Sequence, residues 1–331
     1  MKKNGGLITT NDLSNYKAKF RTPIEFNYKD LSIVTMPLPS SGGLILALML
    51  NMIEQLELDK SDPHKPENIL KISEVMQIAY SLRSVYMADS DFYDVPKNEF
   101  LSKDKAKQLL TNINLKRMSN ADDYNPEKFK FKENTTHYSI VDGSGNIVST
   151  TTTLNTAFGS GIVIKGTGIL MNNEMDDFSA SPSQPNYFGL LGTYANRIEP
   201  LKRPLSSMTP TIVFKNDKPY LVTGAQGGSR IITAVLQVIL NYYEFGLDAE
   251  ESVYKPRYHH QWQPEHLMYE SFDDELVDEL TKMGFNLYRR PATYDFSNGI
   301  TSSIMFEDNN LIGVSDFRSD DFLSIGVNKD E

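Results

Sequence analysis

Cysteine is missing from all 331 residues. No disulfide, thiolate nucleophile or thiolate-bound zinc can therefore be built. Export is left open by this, since many exported proteins carry no disulfide. Long apolar runs are missing too: the longest, 44–50, is far short of the ~20 residues a membrane helix needs. Positive charge is in deficit. The 33 Lys+Arg face 43 Asp+Glu, a net charge of −10, which argues against electrostatic capture of nucleic acid or an anionic lipid surface. There is no Gly-x-Ser-x-Gly nucleophile elbow, no internal repeat and no long low-complexity segment. Met1-Lys2-Lys3 opens like a signal peptide, but Asn4-Gly5-Gly6 follows in place of an apolar stretch. As given, the chain is expected to carry no export signal and to be cytoplasmic if expressed so.

What is present is globular in composition, with 40% hydrophobic and 23% charged residues. The length allows one large domain or two ordinary ones. Thr9 and Asp12 ahead of Leu13 form a weak capping box for a short helix. A Pro/Ser/Gly stretch, 36–43, leads into the apolar run 44–53, a helix that Ser40 or Ser41 could cap. Ile69, Ile72, Met76, Ala79 and Tyr80 recur at helical spacing, so about 66–87 is a helix with one buried stripe. Residues 95–134 are highly charged and read as a loose connection with short helical pieces.

At Thr135 the pattern changes. Residues 137–142 and 147–154 form a hairpin around Asp142-Gly143-Ser144-Gly145-Asn146. A second hairpin joins 211–214 to 220–223, and a third joins 303–306 to 311–314. One helix between them presents Ile231, Ile232, Val235, Leu236, Ile239, Tyr242 and Tyr243. Another runs from a Ser271 cap through Leu276, Val277 and Leu280 to a Gly284 stop. Hairpins separated by helices indicate an α+β fold with antiparallel sheet under helices.

Thr135-Thr136-His137-Tyr138-Ser139 sits where the charged segment meets a strand. Taken alone it is ordinary strand composition. A triad with His137 is weaker still, because neighbours on a strand point to opposite faces. A threonine can instead be activated by its own α-amine if the chain is cut just before it. That amine titrates near ~7.7–8.0, so a neutral fraction exists to accept the hydroxyl proton.

Here the sequence resembles the γ-glutamyltransferases (γ-glutamyl transpeptidases), members of the N-terminal-nucleophile hydrolases. The resemblance covers essentially the whole chain. It runs through Lys3-Asn4-Gly5-Gly6-Leu7-Ile8-Thr9, Pro39-Ser40-Ser41-Gly42-Gly43, the Thr135 pentapeptide and Thr153-Leu154-Asn155-Thr156. It continues with Asn172-Asn173-Glu174-Met175-Asp176-Asp177-Phe178-Ser179, Lys202-Arg203-Pro204-Leu205-Ser206-Ser207-Met208, Thr223-Gly224, Gly227-Gly228-Ser229-Arg230-Ile231-Ile232 and His259-His260-Gln261-Trp262. It implies a four-layer αββα fold, incomplete at the N-terminus here, with 1–134 as the C-terminal part of a larger subunit and 135–331 as a complete smaller one.

The resemblance also implies roles. Thr135 is the nucleophile, first toward the Asn134 carbonyl in self-cleavage, then toward the γ-carbonyl of glutathione or another γ-glutamyl compound. Thr153 hydrogen-bonds it. Gly227 and Gly228 supply oxyanion N–H groups. Asn155, Glu174 and Asp177 hold the α-ammonium, and Ser206 and Ser207 lie near the α-carboxylate. No metal or organic cofactor is implied. The acceptor is water, an amino acid or a peptide amine, and the location is periplasmic or extracellular. A zwitterion does need acceptors at one end and donors at the other.

Structural readings stand beside these. Asp176-Asp177 could cap a turn or be solvated, Ser206-Ser207 could be caps, Gly227-Gly228-Ser229 could be a helix-entry loop, and Trp262 is read as core packing. His259-His260 is not read as a metal site, because adjacent ligands on a strand diverge. The family's precursor is longer ahead of the Gly-Gly-Leu-Ile-Thr motif and carries there an arginine that clamps the α-carboxylate. Leu82 and Ser90 also depart from its pattern. Two rival expectations follow: a catalytically silent fragment serving a separate chain, and another N-terminal-nucleophile amidase such as a β-lactam acylase.

Overall fold

The computed structural model describes residues 1–331 except 2–4, 114, 120–134, 182–183, 294–296, 309, 321–322 and 328–331. Thr9 caps α1 (Thr10–Asn15) by a reciprocal box with Asp12, as its spacing predicts. Next, β1 (Ile24–Tyr28) and β2 (Leu31–Thr35) form a tight hairpin, with Lys29 left-handed at φ 52°. The helices α2 (Gly42–Ile53), α3 (Pro66–Tyr86), α4 (Lys97–Leu101) and α5 (Lys103–Leu109) follow. Then come β3 (Thr135–Val141), β4 (Ile147–Thr153), β5 (Thr211–Lys215) and β6 (Lys218–Gln226), with α6 (Ile231–Ile239) and α7 (Ala249–Tyr254). The chain continues through β7 (Tyr258–His259), β8 (Leu267–Tyr269), α8 (Asp274–Lys282), β9 (Leu287–Arg289), β10 (Ile300–Glu307) and β11 (Asn310–Ser315).

Six strands form one antiparallel sheet in the order β1-β2-β5-β6-β10-β11. The three hairpins expected from sequence are all present. The β5–β6 turn places Asn216 and Asp217 at φ 51° and 59°, the paired positive φ values a two-residue hairpin turn requires. One face of the sheet is covered by α2 and α6, with α3 packed on α2, and the apolar residues of these helices supply most of the core. The other face carries the β3–β4 hairpin. That contact is close because Gly224 has no side chain: a Cβ there would lie 2.1 Å from the His137 ring. Hydroxyls stitch the two layers together, Ser139 Oγ donating to Ser302 O and Ser149 Oγ to Thr223 O, both at 3.1 Å. The outer face of the hairpin, with Tyr138, Ile140 and Val148 at 47–49% exposure, has no covering layer among the described residues.

Several local expectations are corrected. Ser41 sits at the start of α2 but makes no side-chain cap, because its own backbone is already helical. Ser40 Oγ accepts from Gly42 N instead, at 3.2 Å. The cap of α8 is Asp273, whose carboxylate accepts from Leu276 N, and not Ser271. Beyond α6 the expected helix widens by one residue per turn over 240–244, with Phe245 N reaching Leu240 O. More than one stripe of α3 is buried, since Glu74, Gln77 and Arg83 are enclosed with the apolar residues.

Candidate active site

Thr135 opens β3, and its cross-strand partner in the register is Thr153, the last residue of β4. Alternation turns Thr135 inward, where it is 5% exposed, and its Oγ1 donates to Thr153 Oγ1 at 3.2 Å. Thr153 Oγ1 also accepts from Asn155 N at 2.8 Å. Hairpin register therefore fixes this hydroxyl pair, which in turn fixes the chain leaving β4. Asn134, the expected scissile partner, lies outside the described residues.

Asn155 is left-handed, at φ 75°, a conformation asparagine tolerates better than most residues. Its Nδ2 donates to Asn173 O at 3.3 Å, leaving the amide oxygen as an acceptor. Glu174 and Asp177 occupy one short helical turn, Glu174–Asp177. Asp176 holds that turn by accepting from Tyr187 N at 2.7 Å, so half of the Asp176-Asp177 pair is structural. Asp177 accepts from Asn186 Nδ2 at 3.2 Å. Burial, then the adjacent Glu174 carboxylate, push Asp177 well above the usual carboxylate range. Burial pushes Glu174 up to about 7, and its Oε1 is enclosed without a hydrogen-bond donor. Two carboxylates this close share a proton unless a cation joins them.

Ser206 and Ser207 line the same cavity as Asp177. Backbone bonds from Ser206 N to Pro39 O and from Ser41 N to Ser206 O tie this loop to the start of α2. The approach needs a glycine: a Cβ on Gly42 would lie 2.3 Å from Thr209 Oγ1 and 2.5 Å from Met208 O. Ser206 Oγ accepts from Met208 N at 3.1 Å, and Ser207 Oγ accepts from Arg83 Nη2 at 3.0 Å.

Beyond β6, Gly227 (φ 139°) and Gly228 (φ 54°) turn the chain into the helical turn Gly228–Arg230 and then α6. Backbone N–H groups at a helix start favour developing negative charge. The Phe188 ring covers Gly228, since a Cβ there would meet ring atoms at 2.4 Å. One narrow cavity is lined by Thr135, Thr153, Asn155, Asp177, Ser206, Ser207 and Gly228 together with Phe188 and Leu190. Its free volume is ≈ 20 Å³, room for about one water. Of the expected site residues, Gly227 and Glu174 stand just behind this wall.

The histidines lie elsewhere. Burial holds His137 neutral, its pKa pushed down to about 4, and it pairs with Thr151 Oγ1 at 2.7 Å. His259 is fully enclosed between Thr233 and Gln261. Among the described residues no group of three or more His, Asp or Glu could hold a metal ion. Trp262 packs at the edge of the core.

A profile described as Gamma-glutamyltranspeptidase matches residues 1–325. The chain belongs to the gamma-glutamyltranspeptidase family. It is 44% identical over 330 residues to the glutathione hydrolase proenzyme of Escherichia coli K12, covering 98% of this chain and 56% of that protein. The chain thus spans about half the length of the curated relatives it matches. A gamma-glutamyltranspeptidase from Pseudomonas nitroreducens, solved in complex with L-DON, superposes with a TM-score of 0.55 at 43% identity. That match takes in 58% of this chain and all of the other. A cephalosporin acylase from Bacillus halodurans superposes over 99% of this chain and 57% of its own, TM-score 0.82 at 24% identity, a likeness of fold alone. The fold is accordingly α+β of the N-terminal-nucleophile hydrolase type.

For a gamma-glutamyltranspeptidase, the sequence reading weighed the neighbouring Leu82 and did not single out Arg83. Here the residue lies behind the serine wall. Its signal was visible: a charge at position 83 continues the buried spacing of Met76 and Tyr80. Phe188 and Asn186 were also missed, because the loop that carries them has no periodicity to mark it.

Proposed function

We propose that this chain carries the active centre for γ-glutamyl transfer and hydrolysis, with glutathione or another γ-glutamyl compound as donor. One observation carries the proposal: the Thr135–Thr153 hydroxyl pair opens into a cavity lined by the Asp177 carboxylate, the Asn155 amide and the Ser206 and Ser207 hydroxyls. Acceptors and donors lining one cavity suit the ammonium and carboxylate that a glutamyl head carries on a single carbon. Glu174 and Asp177 would release their shared proton as the ammonium arrives.

In the proposed sequence, Thr135 Oγ attacks the Asn134 carbonyl, the C–N bond breaks, and an ester replaces the peptide. The Thr135 nitrogen takes up the hydroxyl proton and leaves as a free α-amine; water then hydrolyses the ester, releasing the Asn134 carboxylate and restoring the Thr135 hydroxyl. The amine then takes the Oγ proton as Oγ attacks the substrate γ-carbonyl, and the Gly228 region stabilises the oxyanion. The proton passes to the departing amine. Water or an acceptor amine finally attacks the threonyl ester. In the present closed form Phe188 and Leu190 must shift to admit a glutamyl chain.

The division into 1–134 and 135–331 belongs to this reading, as does a periplasmic or extracellular location. So does pairing with further polypeptide over the uncovered Tyr138, Ile140 and Val148 face; exposed apolar patches of that kind mark interfaces. The test is mass analysis of the purified chain and of Thr135→Ala. Fragments ending at Asn134 and beginning at Thr135, absent in the variant, support the mechanism. Cleavage persisting at that bond in Thr135→Ala refutes it.

A further inference from the structure

Arg83 lies on α3 and is 4% exposed. Both of its hydrogen bonds go to neutral hydroxyls: Nε donates to Ser41 Oγ at 2.9 Å and Nη2 to Ser207 Oγ at 3.0 Å. No described carboxylate lies within ion-pair distance of it. Its direct partners are all neutral and the Asp177 carboxylate acts on it only from beyond ion-pair distance, so a buried guanidinium here gains from a ligand carboxylate that completes it.

The two hydroxyls show where that completion points. A guanidinium donates and never accepts. Each serine it reaches has therefore committed a lone pair inward and must deliver its own proton elsewhere. Ser41 delivers its proton to Ser206 O at 2.8 Å. Ser207 Oγ donates to no described protein atom, and Ser207 lines the Thr135 cavity. Arg83 itself faces a second small cavity, which shares Asp177 and Leu190 with the first. The cation thus stands one hydroxyl behind the reactive pocket.

We propose that Arg83 is a positioning residue for the substrate α-carboxylate, orienting Ser207 as an obligate hydrogen-bond donor and providing the counter-charge behind it. The inference rests on the γ-glutamyl reading of the pocket and extends it to a residue outside the wall. It makes selectivity for an α-carboxylate a property of α3 as well as of the serine loop. Arg83 and Ser41 act as one unit, because Ser41 both anchors Nε and fixes the carbonyl of Ser206.

The test is a ligand-observed NMR titration of the full chain with three probes. L-glutamate carries both head charges, glutarate lacks the ammonium, and 4-aminobutyrate lacks the α-carboxylate. Arg83→Lys keeps the charge but cannot bridge two hydroxyls in the guanidinium geometry. It is expected to weaken L-glutamate and glutarate by about ten-fold or more and to leave 4-aminobutyrate within about two-fold. Ser207→Ala should show the same selectivity, and the double variant should be no worse than the single ones, as for groups acting in series. Should Arg83→Lys fail to fold, Ser41→Ala cuts the same anchor without touching Ser207 and should give the same carboxylate-selective loss. Equal weakening of all three probes, or unchanged glutarate binding, overturns the role of Arg83 alone. A wild-type chain that does not bind L-glutamate overturns the pocket reading and this inference with it.

Discussion

Replacing Glu174 by Gln separates the charge of the acidic pair from its shape. Glu174 is pushed from an ordinary 4.5 up to about 7 by burial. Its folded form binds a proton more tightly than the unfolded chain does. Stability from that proton is fully present below pH 4.5 and is lost as the pH rises through about 7. A displacement of this size corresponds to roughly 2–3 kcal/mol at pH 7.5. Glutamine mimics the protonated acid at all pH values. Glu174→Gln should therefore be more stable than wild type by roughly 2–3 kcal/mol at pH 7.5, with the two converging near pH 5. Urea unfolding at pH 7.5, 6.5 and 5 reads this as a difference in midpoints, in which the titration of groups other than the coupled Asp177 cancels. The same variant should bind L-glutamate less tightly, since one carboxylate facing the ammonium is gone. A stability offset that does not change with pH refutes the enclosed-carboxylate argument, whatever happens to binding.

Absolute stability should move the other way with pH. Burial pushes His64, His137 and His266 down to about 4 and His260 to about 3, and it lowers His259 as well. Their contribution is present above pH 6.5 and lost on acidification toward 4, each costing roughly 2 kcal/mol at pH 5. Urea midpoints should fall steeply between pH 7 and 5, and a flat profile contradicts this. Gly228→Ala adds a Cβ 2.4 Å from Phe188 at φ 54° and should cost about 1–3 kcal/mol; an unchanged melting midpoint would show that the ring yields freely. Thr153→Ala removes the only described side-chain partner of Thr135 and should slow cleavage before Thr135 by about 10–100-fold, measured as fragment appearance on a gel. Wild-type cleavage rates in that variant would remove Thr153 from the mechanism.

Strand alternation made β3–β4, β5–β6 and β10–β11 legible, because a period of two is written directly into residue types. The hydroxyl pair came from the family resemblance rather than from the pattern; the register that sets Thr135 opposite Thr153 is its structural basis. Helix caps were less so. Ser41 has the right residue type at the right place, yet its hydroxyl is taken by Ser206 and Arg83, partners distant in sequence. Ser271 lost to Asp273 because a charged acceptor two residues on sits where the first free N–H groups point. The packing of the hairpin on the main sheet was not legible either. It depends on Gly224 meeting a ring from another strand, a coincidence in space that no local pattern encodes.

The charge arrangement of the pocket follows the same division. Residue types at 174, 177, 206 and 207 state which end should be acidic and which should donate. They do not state protonation or polarity, because both are set by neighbours. Glu174 raises Asp177 only when one short turn presses the two carboxylates together away from water. Ser207 becomes a donor only because a guanidinium from α3 occupies its lone pair. On the γ-glutamyl reading, Arg83 enclosed behind the serines and the two acids of the turn at 174–177 form the charge complement of the pocket. A zwitterion satisfies both ends at once, releasing the proton at one and compensating the guanidinium at the other. A ligand with a single head charge can satisfy only one of them, so discrimination should come from the two ends jointly rather than from the volume of the cavity.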